Sequence, residues 1–156
     1  LKKHKLISYK KLTVLLLITI QLVWSGWGFF AHKKINELAV YLLPTELFGF
    51  FKANIDYLSE HAPDPDKRRY MIAEEGPRHF LDLDHYEKQL PIDTLPKNWD
   101  SAVAMYTIDT LFKHGIVPWH IEKMLRRLTY AFKDNEPYKI IRYANDLGHY
   151  VGDLNV

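Results

Sequence analysis

Near its C-terminal end the sequence reads GHYVGD, with His149 and Asp153 four residues apart. On a helix, positions i and i+4 share a face, so both side chains can reach one divalent ion. Gly148 and Gly152 accompany the pair. Inside a helix each costs roughly 1 kcal/mol against alanine, so two of them suggest close approach of another helix or a ligand. Alone, HxxxD also describes an ordinary polar pair on a solvated face. Two further clusters carry similar side chains. WGFFAHKKI places His32 five residues after Trp27, and residues 61–85 hold Asp64, Asp66, His79, Asp82, Asp84 and His85. The sequence has no cysteine, so disulfides and thiolate sites are excluded. A metal would be held by His, Asp, Glu or backbone atoms.

The elements that must position these residues read as helices almost throughout. AHKKINELAVYLLP puts Ile35, Leu38, Ala39 and Leu42 on one face and ends at Pro44. TELFGFFKANIDYL begins with Thr45 as a candidate N-cap. WDSAVAMYTIDTLFKHG stops at Gly115. PWHIEKMLRRLTYAFKD carries a stripe of Ile121, Met124, Leu125, Leu128 and Phe132, and EPYKIIRYANDLGHYVGD one of Ile140, Ile141, Ala144, Leu147 and Val151. Residues 61–98 are proline-rich and read as one long irregular connection. No strand alternation of useful length appears. The expected fold is all-α, a helix bundle with one long metal-binding loop.

The first 26 residues differ from the rest. LKKHKLISYKK carries five lysines and no acid, and LTVLLLITIQLVW follows before SG. That is the pattern of a secretory signal, and the apolar run is short for a spanning helix, which needs about 20 residues. The expected organisation is a signal peptide over 1–26 and one domain over 27–156, secreted or periplasmic. Loss of the leader takes five lysines from the 21 cations and leaves the 19 acids in excess. The remaining charge gives no electrostatic support for nucleic-acid binding. Cleavage before Trp27 would free its α-amine, whose ordinary pKa of about 7.7–8.0 lets a metal displace the proton.

Taken together, WGxxxH, PD, PxHF and GHxxGD, in that order over residues 27–156, resemble the zinc-dependent nucleases of the S-one/P-one type and the related bacterial zinc-dependent phospholipases C. The resemblance implies the N-terminal part of a mostly helical phospholipase C/nuclease-like domain, with three zinc ions in a cleft. One zinc would take Asp64, His79, His149 and Asp153. Asp64 lies 15 residues before His79, as in the family, and Asp66, at 13, is the alternative. A second zinc would take the Trp27 amine and carbonyl, His32, and Asp153 as bridge. Phe80 matches an aromatic residue that stacks a nucleobase, and equally suits a core position. Asp82 matches an acid near the scissile phosphate. Its arginine partner in the family is here Lys67, with Arg68 beside it as the alternative.

The function implied is that of a zinc-dependent phosphodiesterase, a monomer with no stable protein partner, cleaving single-stranded nucleic acid through a zinc-bound hydroxide. The alternative is a phospholipase C acting on phospholipid head groups. Residues after Asp153 include no histidine for the family's third zinc. The expectation is therefore a truncated chain with two zinc sites largely present and little activity by itself. A non-catalytic, metal-stabilised helical module is the reading of a different class.

Overall fold

The computed structural model describes residues 9–87 and 95–155; the side chains of residues 9, 10, 15–27 and 87 lie outside that description. Helix α1 spans Tyr9–Val40, followed by α2 (Thr45–Lys52), α3 (Ile55–Glu60) and α4 (Asp64–Arg68). A 3-10 helix, η1, covers Ala73–His79, and α5 covers Leu83–Glu87. Then come α6 (Trp99–Tyr106), α7 (Ile108–His114), α8 (Val117–Lys133) and α9 (Pro137–Leu154). The described residues form helices and connections with no strand, the all-α bundle expected. The chain divides into two units, Leu1–Ala31 and His32–Val156. The described part of the first is helical. Residues 1–8 of the expected signal segment lie outside the described residues. No described helix is long and apolar enough to cross a membrane.

In the second unit, α8 and α9 form the principal helix pair. Pro118 and Pro137 sit in their first turns, where a missing N–H costs nothing. Three apolar clusters surround this pair. Tyr86, Leu111 and Trp119 centre one. Val40, Phe51, Leu58 and Ile140 centre another, and Val117, Met124 and Tyr150 the third. Burial of each such side chain stabilises by roughly 1.5–3 kcal/mol.

Several sequence expectations shift. The helix expected from Thr45 is broken at Ala53–Asn54, and its N-cap is Pro44, with Thr45 already helical. The helix expected over 99–114 is broken at Thr107, whose φ of 64° is incompatible with continuation; Thr107 then caps α7 through Thr110 N–H. Gly115 ends α7 at φ 89°, against the Phe80 carbonyl, where a Cβ would collide. The long connection is partly helical, through α4, η1 and α5.

The inward faces differ most. Among the described side chains of α1 the buried ones are His32, Asn36 and Val40, spaced by four, while Ile35 and Leu38, and Leu42 just past the helix end, are exposed. On α9 the expected Ile140, Ile141, Ala144 and Leu147 pack inward, but Asn145, Asp146, His149, Tyr150 and Gly152 are buried too, and Val151 is exposed. On α8 Leu125 and Phe132 are exposed while Trp119 and His120 are buried.

Candidate metal centre

The inward polar faces of α1 and α9 meet. Asn36 Nδ2 donates to the Asn145 carbonyl (3.1 Å), to Asn145 Oδ1 (3.1 Å) and to the Leu58 carbonyl (3.3 Å). A methyl group on Gly148 would collide with the Asn36 carboxamide. One on Gly152 would lie 3.3 Å from both His32 Nδ1 and Ile35 Cδ1. The two glycines therefore admit another helix, as their cost on α9 implied. This approach brings His32 over His149, with ring centroids 3.9 Å apart.

Asp153 is the hub. His79 Nδ1 lies 2.8 Å from its carboxylate, and His32 Nε2 and His149 Nε2 each lie 3.2 Å away. Asp66 completes the group, 3.6 Å from His79, 3.9 Å from His149 and 4.0 Å from His32. Two sets have ligand atoms close enough for one ion: His32, Asp66 and His149, and His79, His149 and Asp153. All three histidines are buried. Burial opposes ionisation of Asp153, but hydrogen bonds from His149, His32 and His79 outweigh it and hold the carboxyl far below the usual carboxylate range. Burial also opposes a charged His79, yet Asp153 and Glu75 raise its pKa.

The surroundings fit a metal. His149 Nδ1–H donates to the Ala62 carbonyl at 2.8 Å, which directs the Nε2 lone pair towards the cluster. The buried atoms His32 Nδ1 and His79 Nε2 have no hydrogen-bond partner, although Glu75 lies 3.8 Å from the latter. Imidazoles this close to one another and to carboxylates are the donor set that a zinc ion accepts.

Around the cluster runs a second buried polar layer. Arg68 donates to Asp146 at 3.0 Å and to the Tyr150 hydroxyl at 3.2 Å, and Glu75 accepts from Tyr150 and Arg78. Burial raises the pKa of Glu75, but the partners His79, Tyr150, Arg68 and Arg78 reverse this and leave it at about 2.

No family model, curated protein or solved structure matches the chain. The class of the site follows from its chemistry: two His/Asp triads in an all-α bundle, consistent with a metal-dependent hydrolase superfamily.

Of the residues singled out from the sequence, the structure gathers His32, His79, His149 and Asp153. The aspartate it places with them is Asp66. Asp64 turns outward, 2.7 Å from both His61 Nδ1 and Lys67 Nζ. Both aspartates lie on the short helix α4, two positions apart, so they point to different sides. Lys67 is occupied by Asp64. Arg68 belongs to the buried layer beneath the cluster. Phe80 is exposed at the end of η1, and Asp82 accepts from His114 Nδ1 at 2.9 Å. Trp27 falls in the first unit and its side chain lies outside the described residues. Sequence reasoning overlooked Asn36, Glu75, Asp146 and Tyr150. The available signal was spacing: Asn36 follows His32 by four, and Asn145 precedes His149 by four.

Proposed function

We propose that the chain is a metal-dependent phosphodiesterase whose substrate is single-stranded nucleic acid, with zinc as the metal. The observation that carries the reading is one carboxylate, Asp153, reached by three buried imidazoles within 3.2 Å. A bound zinc would supply a Lewis acid for a phosphoryl oxygen and lower the pKa of water.

The protein's own groups do the rest. His79, His149, Asp153, His32 and Asp66 would hold the metal, with Asp153 shared between the two triads. The Ala62 carbonyl holds the His149 proton on Nδ1. Arg68, Asp146, Glu75 and Tyr150 fix the floor from which η1 and α9 present their histidines. Phe80 and Asp82, on the exposed side of the segment after His79, would meet the base and the phosphate. The exported location implied by the leader pattern belongs to the same reading. A phospholipid head group is the alternative substrate, since the same ligands would serve it.

The test loads metal-stripped protein with zinc, counts bound ions by native mass spectrometry, and follows cleavage of single-stranded DNA and of phosphatidylcholine. Zinc uptake that His149→Ala abolishes, with slow DNA cleavage lost in the same variant, is expected. Cleavage of the lipid alone would overturn the nucleic-acid assignment. Absence of zinc uptake would overturn the metal.

A further inference from the structure

A cavity beside α8 is separate from the His/Asp cluster. It has a volume of about 550 Å³ and lies between the starts of α6 and α8, with Phe112 of α7 in its wall. One side is aromatic. Trp99 meets Phe112 and Trp119 edge-on, with ring centroids 6.3 Å apart in both pairs. Trp119 Nε1–H is already donated to the Pro96 carbonyl at 2.8 Å. What these rings offer the cavity is therefore apolar, π-bearing surface.

The other side is cationic. Arg78, Lys123, Arg126 and Arg127 line it, against Asp100 and Glu122. Glu122 is taken by Arg126, at 2.6 Å. Lys123 and Arg127 form no ion pair among the described residues; Arg127 stands only over the Tyr143 ring, at 6.0 Å. They are like charges at i and i+4 on one helix, an arrangement that destabilises the helix. Burial, together with Arg127 and Arg78, lowers the Lys123 pKa, so the cations feel one another. Such a cluster is relieved by an anion in the cavity.

We propose that this cavity binds a nucleoside 5′-monophosphate group, with the base on the Trp99–Phe112–Trp119 wall and the phosphate on Lys123 and Arg127. The volume lies within the range of small-molecule sites. Base–aromatic stacking combined with a basic groove is the general chemistry of single-strand binding. Phosphocholine carries the same phosphate but a compact cation in place of a flat base, so it is the control that separates base stacking from cation–π binding on the aromatic wall. The inference rests on the nucleic-acid reading for the source of the ligand and on the cavity alone for its chemistry.

The experiment titrates the full chain, stripped of metal so that nothing is cleaved, with 5′-dTMP, thymidine, phosphocholine and an eight-nucleotide dT strand, following tryptophan fluorescence. The expected result is that dTMP binds at least ten-fold more tightly than thymidine or phosphocholine. Lys123→Glu and Arg127→Glu should each weaken dTMP at least ten-fold while leaving zinc uptake unchanged. His149→Ala should lose zinc and keep dTMP, which separates failure of the metal reading from failure of this one. Tighter binding of the strand than of dTMP would identify the source as substrate, and equal binding would identify a free nucleotide. Tighter binding of phosphocholine, or dTMP affinity indifferent to both charge reversals, would overturn the proposal.

Discussion

Gly148→Ala is the sharpest probe of how the metal centre is assembled. On helix propensity alone the change should stabilise α9 by about 1 kcal/mol. The structure predicts the opposite sign. The added methyl would collide with the Asn36 carboxamide, which is buried and makes three hydrogen bonds to Leu58 and Asn145. Asn36 sits on the same helix as His32, so relief requires either loss of those bonds or withdrawal of that part of α1 from α9. Loss of the three bonds costs about 3–4 kcal/mol in all. Against the propensity gain, the net loss is about 2–3 kcal/mol. In a chain of this size that is a fall of roughly 4–12 °C in Tm. Urea unfolding of the metal-stripped protein reads the stability, and zinc titration reads the second consequence. Withdrawal of His32 from Asp153 should weaken zinc at least ten-fold. Asn36→Ala in the same chain removes the colliding group, so the double variant should recover part of the loss, a coupling of about 1 kcal/mol or more in the cycle. A Gly148→Ala protein as stable as the parent, or additivity of the two changes, would refute the close helix approach.

Two other expectations follow from the same surroundings. Asp153→Asn should abolish the rise in Tm that zinc gives the parent chain, about 2.7 kcal/mol of added stability at a hundred-fold excess over Kd, as scanning calorimetry with and without zinc would show. The second concerns acid. Burial, and then Arg78, lowers the pKa of His120 to about 3, from an ordinary value near 6.5. A depressed pKa contributes stability that is complete above the unfolded value, so it is lost as pH falls from about 6.5 towards 3. His120→Phe should lose less stability than the parent between pH 7 and pH 4, by about 2–4 kcal/mol in urea midpoints; identical acid profiles would sink this account.

The helices were legible because their caps and breakers are local. Pro118, Pro137 and Gly115 mark boundaries that need no tertiary knowledge. Thr107 was illegible for the converse reason. A threonine at φ 64° is tolerated only where packing imposes it, and nothing in MYTIDT announces the break. The spacing of His149, Asp153 and the two glycines carried much of the site. The choice between Asp64 and Asp66 could not be made from spacing. The face of the short helix α4 that turns towards η1 and α9 carries Asp66.

The stripe on α9 packs into the apolar clusters through Ile140, Ile141, Ala144 and Leu147, with Val151 left exposed, whereas the stripe on α1 misled in an instructive way. Apolar periodicity identifies a buried face only where the neighbour is also apolar. Here the neighbour is a cluster of imidazoles and carboxylates, and the face that turns inward is the one able to hydrogen-bond to it. His32 and Asn36 on α1, and Asn145, Asp146 and His149 on α9, are buried while Ile35, Leu38 and Val151 are exposed. Burying polar groups on both helices is costly unless each finds a partner. Asn36 and Asn145 pair with one another, and Arg68 pairs with Asp146. Among these groups His32 Nδ1, His79 Nε2 and the Asn36 amide oxygen remain without a partner. Buried imidazole nitrogens without a partner are costly in a core unless something binds there, and it is this cost, more than the motif spacing, that argues for a metal.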